Sequence, residues 1–579
     1  MKNRILLICL FCLNLSFAQE MQFEWAKAFE GSSSGRNTLS TDHWGNIYVA
    51  GNYYGESDFD PSVEEFLMTP ISGTDIYISK FDPDGNFIWA KSIGGKENDQ
   101  YNYCTVDFFG NVYLTGFYQD SIDFDPGIGT DINAPKGIRD LYLLKLNTHG
   151  EFLWVRTVEA ESTVKADAIT IDKDGDIFIG GSFGSTVDFD PGSGIHEETA
   201  DTNGVFYKTD AFILKLTSKG NFNWVKVISG SGFQTCETIV TDAGGNVFVS
   251  GRFNEEVAFN AADTGSIKVR YYWDIYLAKI TDNGEFVWGE TFQTSSHSEV
   301  HAICSDQLGN VYLAGNLWGK RDMDPGPGVS EIEANGLENM FVLKMDDCGR
   351  FEWAHGVEGR RYVSCNSLQT DELGNLYISG VYNAGEFADN TDFDPSTGEF
   401  WLEGTEGGYS NIYLVKWTTN GKFISGTAVQ GFEGSIYGHK MELDHYGNSF
   451  LTGDYYKTVD FDMSVGETEL NSFSDGKVYL LKMSQDTIVR PTLPVYVITD
   501  ASVYPNPSNG TFKIDVGGLE HASIIIYAVN GDVIYQEDNL TCFENSLIHI
   551  NIDVASGTYI LELKGYGQKK RFKLIVRKE

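Results

Sequence analysis

Positive charge is what this chain has least of: 42 lysines and arginines stand against 82 aspartates and glutamates, a formal net charge of -40. Such a surface repels phosphate backbones and anionic headgroups, so nucleic acid is excluded as a partner class. Cysteine is sparse as well. Cys104, Cys236, Cys304, Cys348, Cys365 and Cys542 have no short metal-type spacing and read mostly as buried small apolar residues, with an unassigned disulfide left open. The 10 histidines form no H-E-x-x-H pair, and no Walker loop or dinucleotide fingerprint occurs. Long apolar runs are absent except at the start, where Ile5 to Leu15 follows Lys2 and Arg4 and precedes Ser16-Phe17-Ala18. Residues 1–18 therefore read as a secretory signal peptide, too short for a membrane span, and no transmembrane segment is expected elsewhere. Cys9 and Cys12 fall within it, neither placed as a lipoprotein cysteine would be.

Glycine (63), tyrosine (30) and phenylalanine (38) are plentiful, which favours short strands joined by tight turns. One pattern recurs seven times, anchored at Gly45-Asn46, Gly110-Asn111, Gly175-Asp176, Gly245-Asn246, Gly309-Asn310, Gly374-Asn375 and Gly447-Asn448. The spacings are 65, 65, 70, 64, 65 and 73 residues, the signature of a repeat architecture. In the second copy, Thr105 to Asp107 leads into a four-residue turn and Val112 to Thr115 returns with strand alternation. A long loop holding Asp123-Phe-Asp-Pro126 follows, then strands at Asp140 to Lys145 and Phe152 to Val155.

Four antiparallel strands per copy make one blade of a β-propeller. The last copy ends after Lys482 without its fourth strand, whereas Phe23-Glu-Trp-Ala-Lys27 near the start matches the fourth strands at Trp89 and Trp154. The expected fold is all-β: a seven-bladed propeller over 19–485 closed by its N-terminal strand, a linker over 486–500, and a small immunoglobulin-like β-sandwich over 501–579.

The repeats resemble the bacterial β-propeller repeat family, whose hallmark is Asp-x-x-Gly-Asn-x-Tyr followed by Asp-x-Phe/Tyr-x-x-Lys. Copy three departs at Asp176, and the tryptophan is missing at Phe423-Ile-Ser425. The C-terminal segment resembles a type A sorting domain of the type IX secretion system of Bacteroidota. The resemblance rests on Val503, Tyr504, Pro505, Asn506, Pro507, Gly510, Ile526-Tyr527 with Gly531, Gly557, Tyr559 and the basic end Lys569-Lys-Arg571. It implies passage across the outer membrane by the secretion machinery, and a mature protein released or attached to surface lipopolysaccharide.

The acidic loop recurs as Asp58/Asp60, Asp123/Asp125, Asp188/Asp190, Asp322/Asp324, Asp392/Asp394 and Asp460/Asp462. Recurrence in six of seven copies favours turn capping, with calcium ligation the alternative and no other cofactor expected. Asp172-Lys-Asp-Gly-Asp176 lacks the spacing of a calcium-binding EF-hand loop. Gly180-Gly-Ser-Phe-Gly184 matches the nucleophile-elbow expression but opens no helix, and no catalytic residue is assigned. The lysines Lys80, Lys145, Lys215, Lys279, Lys344, Lys416 and Lys482 keep register with the turn aspartates, which points to a tether within each blade, Lys145 reaching the Asp107 turn.

Binding residues are expected where the repeat breaks: Arg270, Tyr271, Tyr272 and Trp273 in copy four, and Trp318, Lys320, Arg321, Arg360, Arg361 and Tyr362 in copies five and six. Aromatics beside arginines suit a glycan or protein ligand, and loop packing is the competing explanation. The first functional reading is an exported, non-enzymatic scaffold that binds such a ligand at the cell surface. The alternative is an extracellular carbohydrate-active hydrolase or lyase.

Overall fold

The computed structural model describes residues 21–31, 37–96, 102–200, 208–259, 267–268, 273–292, 297–334, 337–357, 359, 361–383, 390–405, 409–431, 434–462, 468–485, 502–504, 511–515, 521–528, 533–541, 547–552, 554–565 and 568–578. Among them every regular element is a β-strand and every ladder between strands is antiparallel. No helix among the described residues is long and apolar enough to cross a membrane. The expected signal peptide lies outside the described residues. The chain divides into two compact units, Met1–Thr487 and Ile488–Glu579.

In the first unit the chain lays down an antiparallel sheet seven times, five of them four-stranded and the first two extended to six by a short hairpin on the last strand. The second sheet is typical: Asn102–Val106, Val112–Tyr118, Asp140–Leu146 and Phe152–Ala160 lie side by side in chain order. Its first turn forms because Gly110 takes φ 75° and donates its N–H to the Asp107 carbonyl at 2.9 Å. A side chain there would meet the steric penalty of the left-handed region. The strand Val112–Tyr118 is buried along its whole length, so both faces of the sheet are covered.

What covers them is the neighbouring sheets. Seven hydrophobic layers, one between each pair of successive sheets, make up the core; Leu141 and Leu143 of the second sheet, for example, pack on Ile177 and Phe212 of the third. The first strands, Thr38–Thr41, Asn102–Val106, Val164–Ile171, Thr238–Thr241, Ser298–Ser305, Tyr362–Thr370 and Ile436–Leu443, each contact the next, and the last contacts the first.

The seventh sheet is assembled from both ends of the unit. Met21–Phe29 pairs antiparallel with Glu469–Gln485, with Ala28 opposite Tyr479 and Trp25 opposite Lys482. This is the pairing expected from the missing last strand. It covers an edge that would otherwise expose unpaired backbone groups.

In the second unit, Ser502–Tyr504, Thr511–Asp515 and Leu547–Asn551 form one sheet, and Val533–Thr541, His521–Ala528, Gly557–Gly565 and Gln568–Val576 another. Phe512, Ile514 and Ile550 of the first share one core with Ile524, Ile526, Leu561 and Leu574 of the second.

Candidate functional site

The seven turn aspartates are consumed locally. Asp107 Oδ1 accepts the N–H groups of Phe109 and Asn111 at 3.0 and 2.9 Å, and its Oδ2 accepts the Asn111 amide at 2.7 Å and the Tyr113 hydroxyl at 3.2 Å. The expected lysine lies 3.9 Å from Asp107 in the second sheet, and Lys279 and Lys416 lie 3.4 and 3.2 Å from Asp242 and Asp371. The tether is only half of the arrangement. Each of the seven lysines sits over the aromatic ring directly opposite it, at 4.6 to 5.5 Å, as Lys145 does over Tyr113.

Most then reach the last turn of the following sheet. Lys80 donates to Thr148 Oγ1 at 2.7 Å, Lys344 to Thr419 Oγ1 at 3.3 Å and Lys482 to the Pro83 carbonyl at 3.0 Å, while Lys215 and Lys279 bond Asp282 and Asp347. The lysines therefore staple sheet to sheet, and Lys482 does so between the last sheet and the first. Burial pulls the ammonium pKa of Lys80, Lys145 and Lys416 below the ordinary value, with the neighbouring aspartate opposing.

The acidic loops are also self-contained. Asp58 Oδ1 accepts the N–H groups of Asp60 and Phe66 at 3.1 and 2.8 Å, and the same pair of bonds recurs at Asp123, Asp188, Asp322, Asp392 and Asp460. Asp60, Asp125, Asp190, Asp324 and Asp394 each accept the N–H two residues on at 2.8 Å. Asp462, their counterpart in the seventh sheet, gives its own N–H to Asp460 Oδ1 at 3.0 Å. Phe59, Phe124, Phe189, Met323, Phe393 and Phe461, each set between two such aspartates, are buried. Among the described residues no three His, Cys, Asp or Glu side chains lie close enough to hold a metal ion. The pair Asp460/Asp462, like the five others weighed as calcium ligands, therefore gathers no third such side chain there, and its backbone bonds are those of a capped turn.

Of the expected recognition residues, Arg270, Tyr271, Tyr272 and Arg360 lie outside the described residues. Trp273 is half-buried, packed on Phe233 at 5.8 Å with the Arg252 guanidinium 5.4 Å from its ring. Trp318 meets His297 edge-on at 6.4 Å, and Lys320 pairs with Glu331 at 2.7 Å. Arg361 is exposed, its carbonyl accepting the N–H groups of Leu337 and Glu338; Tyr362 is half-buried against the core of the sixth and seventh sheets. Arg321 departs from expectation: it is 2 % exposed, with Nη1 3.8 Å from Asp274 Oδ1, so it is an interior charge and not a surface anchor.

A non-repeating polar network runs instead through the fourth to sixth sheets. Arg252 donates to Glu237 Oε1 and Glu299 Oε1 at 2.8 Å each, and Glu299 lies 3.6 Å from His301. Asn316 bonds His301 at 3.1 Å and also Glu338, while its Oδ1 accepts the Cys365 N–H at 3.1 Å. Burial raises the Glu338 pKa to about 7, helped by Glu299 and opposed by the Asn316 hydrogen bond.

At the junction of the seventh and first sheets, Asn37 bonds Asp454 at 3.1 Å, and His439 lies 3.5 Å from the other Asp454 oxygen. Asn52, Phe117, Ser182, Arg252, Asn316, Val381 and Asp454 all occupy one repeat position, the residue after the second-strand glycine. Its variation among copies was the signal for these clusters.

A second set escaped sequence reading. The two middle positions of the first turns are His43-Trp44, Phe108-Phe109 and His445-Tyr446 in the first, second and seventh sheets, and these rings touch one another. A cleft of roughly 500 Å³ lies elsewhere, lined by Lys27, Asp60, Asn86, Tyr455 and Lys477. Cys104, Cys236, Cys304 and Cys365 are buried free thiols and Cys348 an exposed one.

Comparison with known proteins assigns the C-terminal segment. Residues 502–577 match the family described as the secretion system C-terminal sorting domain. The chain is therefore exported through the type IX secretion system to the cell surface or extracellular space, and its tail engages that machinery. Within the tail, Tyr504 ends the first strand, Gly557 opens the sixth, and the buried Tyr559 donates to the Ala555 carbonyl at 2.9 Å. Pro505, Asn506, Pro507, Gly510 and Gly531 lie outside the described residues.

An uncharacterized WD repeat-containing protein of Acanthamoeba polyphaga mimivirus is 20% identical over 448 residues, 65% of this chain; the match spans only 32% of that relative. Among solved structures, a protein of unknown function from Dyadobacter fermentans is 11% identical, covering 69% of this chain and 98% of its own, at a TM-score of 0.32. PorZ of Porphyromonas gingivalis, described as an essential bacterial surface component of the type IX secretion system, is 10% identical over 95% of this chain and 100% of its own, at a TM-score of 0.19.

Proposed function

We propose that residues 19–485 form a seven-bladed β-propeller closed by its N-terminal strand, that residues 1–18 are a signal peptide, and that an immunoglobulin-like sorting domain over 501–579 follows a linker at 486–500. The cyclic order of first strands and the Lys482 bond to Pro83 support the ring. On this reading the exported propeller is a scaffold that binds a glycan or protein at the cell surface of a member of the Bacteroidota.

One observation carries the binding role: the charges common to all copies are engaged in closing their own turns or in holding sheets together, so recognition falls to positions where copies differ. Arg252, set between Glu237 and Glu299 with Trp273 beside it, is such a position. A glycan array and surface cross-linking with the purified full chain test the role. Retention of one glycan class or capture of one surface protein is expected, and neither would overturn it.

The alternative, a carbohydrate-active hydrolase or lyase, draws on Glu338, whose pKa near 7 suits a general acid at neutral pH. Release of reducing ends or unsaturated products from polysaccharide, lost in Glu338→Gln, would establish it.

A further inference from the structure

The seven first turns share one backbone and one aspartate cap, which leaves the two residues between aspartate and glycine free to vary. In the third to sixth sheets these are Lys173-Asp174, Ala243-Gly244, Gln307-Leu308 and Glu372-Leu373. The turns form equally well with them: Asp174 and Gly244 donate to their aspartates at 2.9 and 2.8 Å, as Trp44 does to Asp42 at 3.0 Å. The fold therefore does not require rings at these positions. Yet in the three successive sheets seven, one and two, all six residues are aromatic.

The rings brace one another. His43 stacks on Phe108 at 4.3 Å and 25° and on His445 at 4.8 Å and 17°, and Tyr446 lies against His445 at 3.7 Å. Trp44 stands across this row, 77° from His43 and 59° from Phe108, so indole and row form two walls of a corner. Trp44, Phe108 and Tyr446 remain 41%, 37% and 45% exposed. Rings already fixed by their neighbours lose little freedom on binding.

The electrostatics narrow the ligand. Burial holds His43 and His445 below the ordinary imidazole value, and each ring then offers one donor and one acceptor. The ionised groups acting on them are the carboxylates of Asp42, Asp444 and Glu372, which disfavour an anion. Flat apolar surface, hydroxyl-matching nitrogens and local negative charge together suit an uncharged sugar.

We propose that this aromatic corner binds a neutral glycan, one pyranose face stacking on Trp44 and its hydroxyls turned toward His43 and His445. The proposal rests on the glycan side of the binding role and gives it a place distinct from the Arg252 network. It is tested by affinity electrophoresis of the full chain in gels holding a neutral polysaccharide (laminarin, mannan or starch) or an acidic one (alginate or heparin).

Retardation by a neutral polysaccharide is expected, weakened about tenfold or more by Trp44→Ala and Tyr446→Ala, retained in part by Trp44→Phe and unchanged by Leu308→Ala at the same turn position of the fifth sheet, with all melting temperatures alike. Neutral-glycan binding that survives Trp44→Ala and disappears in Arg252→Ala overturns the proposal and leaves the binding role standing. Binding of acidic polysaccharide alone, no polysaccharide binding at all, or self-association abolished by Trp44→Ala also overturns it.

Discussion

Six of the seven boundaries between sheets carry a tryptophan seated on a glycine of the next sheet's last turn, and the seventh boundary carries neither. A Cβ at Gly349 would stand 2.7 Å from the Trp288 ring, and Trp25, Trp89, Trp154, Trp224 and Trp353 approach Gly85, Gly150, Gly220, Gly284 and Gly421 in the same way. The indole N–H groups of Trp89, Trp224, Trp288 and Trp353 donate to a carbonyl of that turn at 2.9 to 3.3 Å. Between the sixth and seventh sheets the position is Ser425, opposite Lys416 as Trp154 is opposite Lys145. The seventh sheet has no last turn, because its fourth strand arrives from the N-terminus. A missing tryptophan in the repeat thus marks the missing turn; it is a consequence of the N-terminal strand completing the seventh sheet.

The sharpest way to break this comparison is to delete residues 21–29. Phe29 alone is buried between the seventh and first sheets, worth about 1.5–3 kcal/mol, and the whole edge of Glu469–Gln485 would be bared. Loss of the cooperative thermal transition of the first unit is expected by calorimetry. Next in size, Trp288→Ser imitates the exceptional boundary at an ordinary one and should lower stability by about 2–3 kcal/mol, under the cost of a fully buried tryptophan because Trp288 is half-buried. Gly349→Ala should cost about 1–2 kcal/mol from its φ of 79° alone. Ser425→Trp should gain nothing, since it has no turn to cover. Urea midpoints decide all three.

Much of the architecture was legible. Turn spacing revealed the seven copies and four strands each, because strand partners within a copy are near in sequence. The orphan strand at Trp25 disclosed the closure through its likeness to Trp89 and Trp154. Lateral neighbours were not legible in the same way: Lys80 meets Thr148 across 68 residues, and no periodicity within a copy announces that contact. The same gap explains Arg321, an arginine that looked like a surface anchor and is paired in the interior with Asp274, 47 positions earlier. The aromatic corner was missed because each turn, taken singly, tolerates any residue there. Only the contact of the last sheet with the first sets His43 beside His445.

A smaller effect at the closing junction is read by pH. Burial raises Asp454 to about 8, against an ordinary aspartate value near 4, with the Asn37 hydrogen bond opposing. A carboxyl with a raised native pKa favours the folded state when protonated, so its contribution is present below about pH 4 and lost as pH rises to about 8. Asp454→Asn should flatten the fall in melting temperature across that window, whereas Asn316→Asp at an ordinary junction should steepen it. Smallest of all, chelator or added calcium should leave the melting temperature unchanged, because the loop carboxylates at Asp123 and Asp460 already close their own backbone. A calcium-dependent rise would assign both loops to metal.

Closure by the N-terminal strand also sets an order of events in time. Residues 21–29 find their partners only at 478–485, so a chain made or threaded from its N-terminus holds an unpaired first strand until nearly the whole first unit is present. Pairing over so long a sequence separation is slow relative to local hairpins. The last strand needed lies a few residues before the second unit begins at Ile488. Completion of the seventh sheet and appearance of the sorting tail are thereby timed together, and a cargo cut short before residue 478 would lack both.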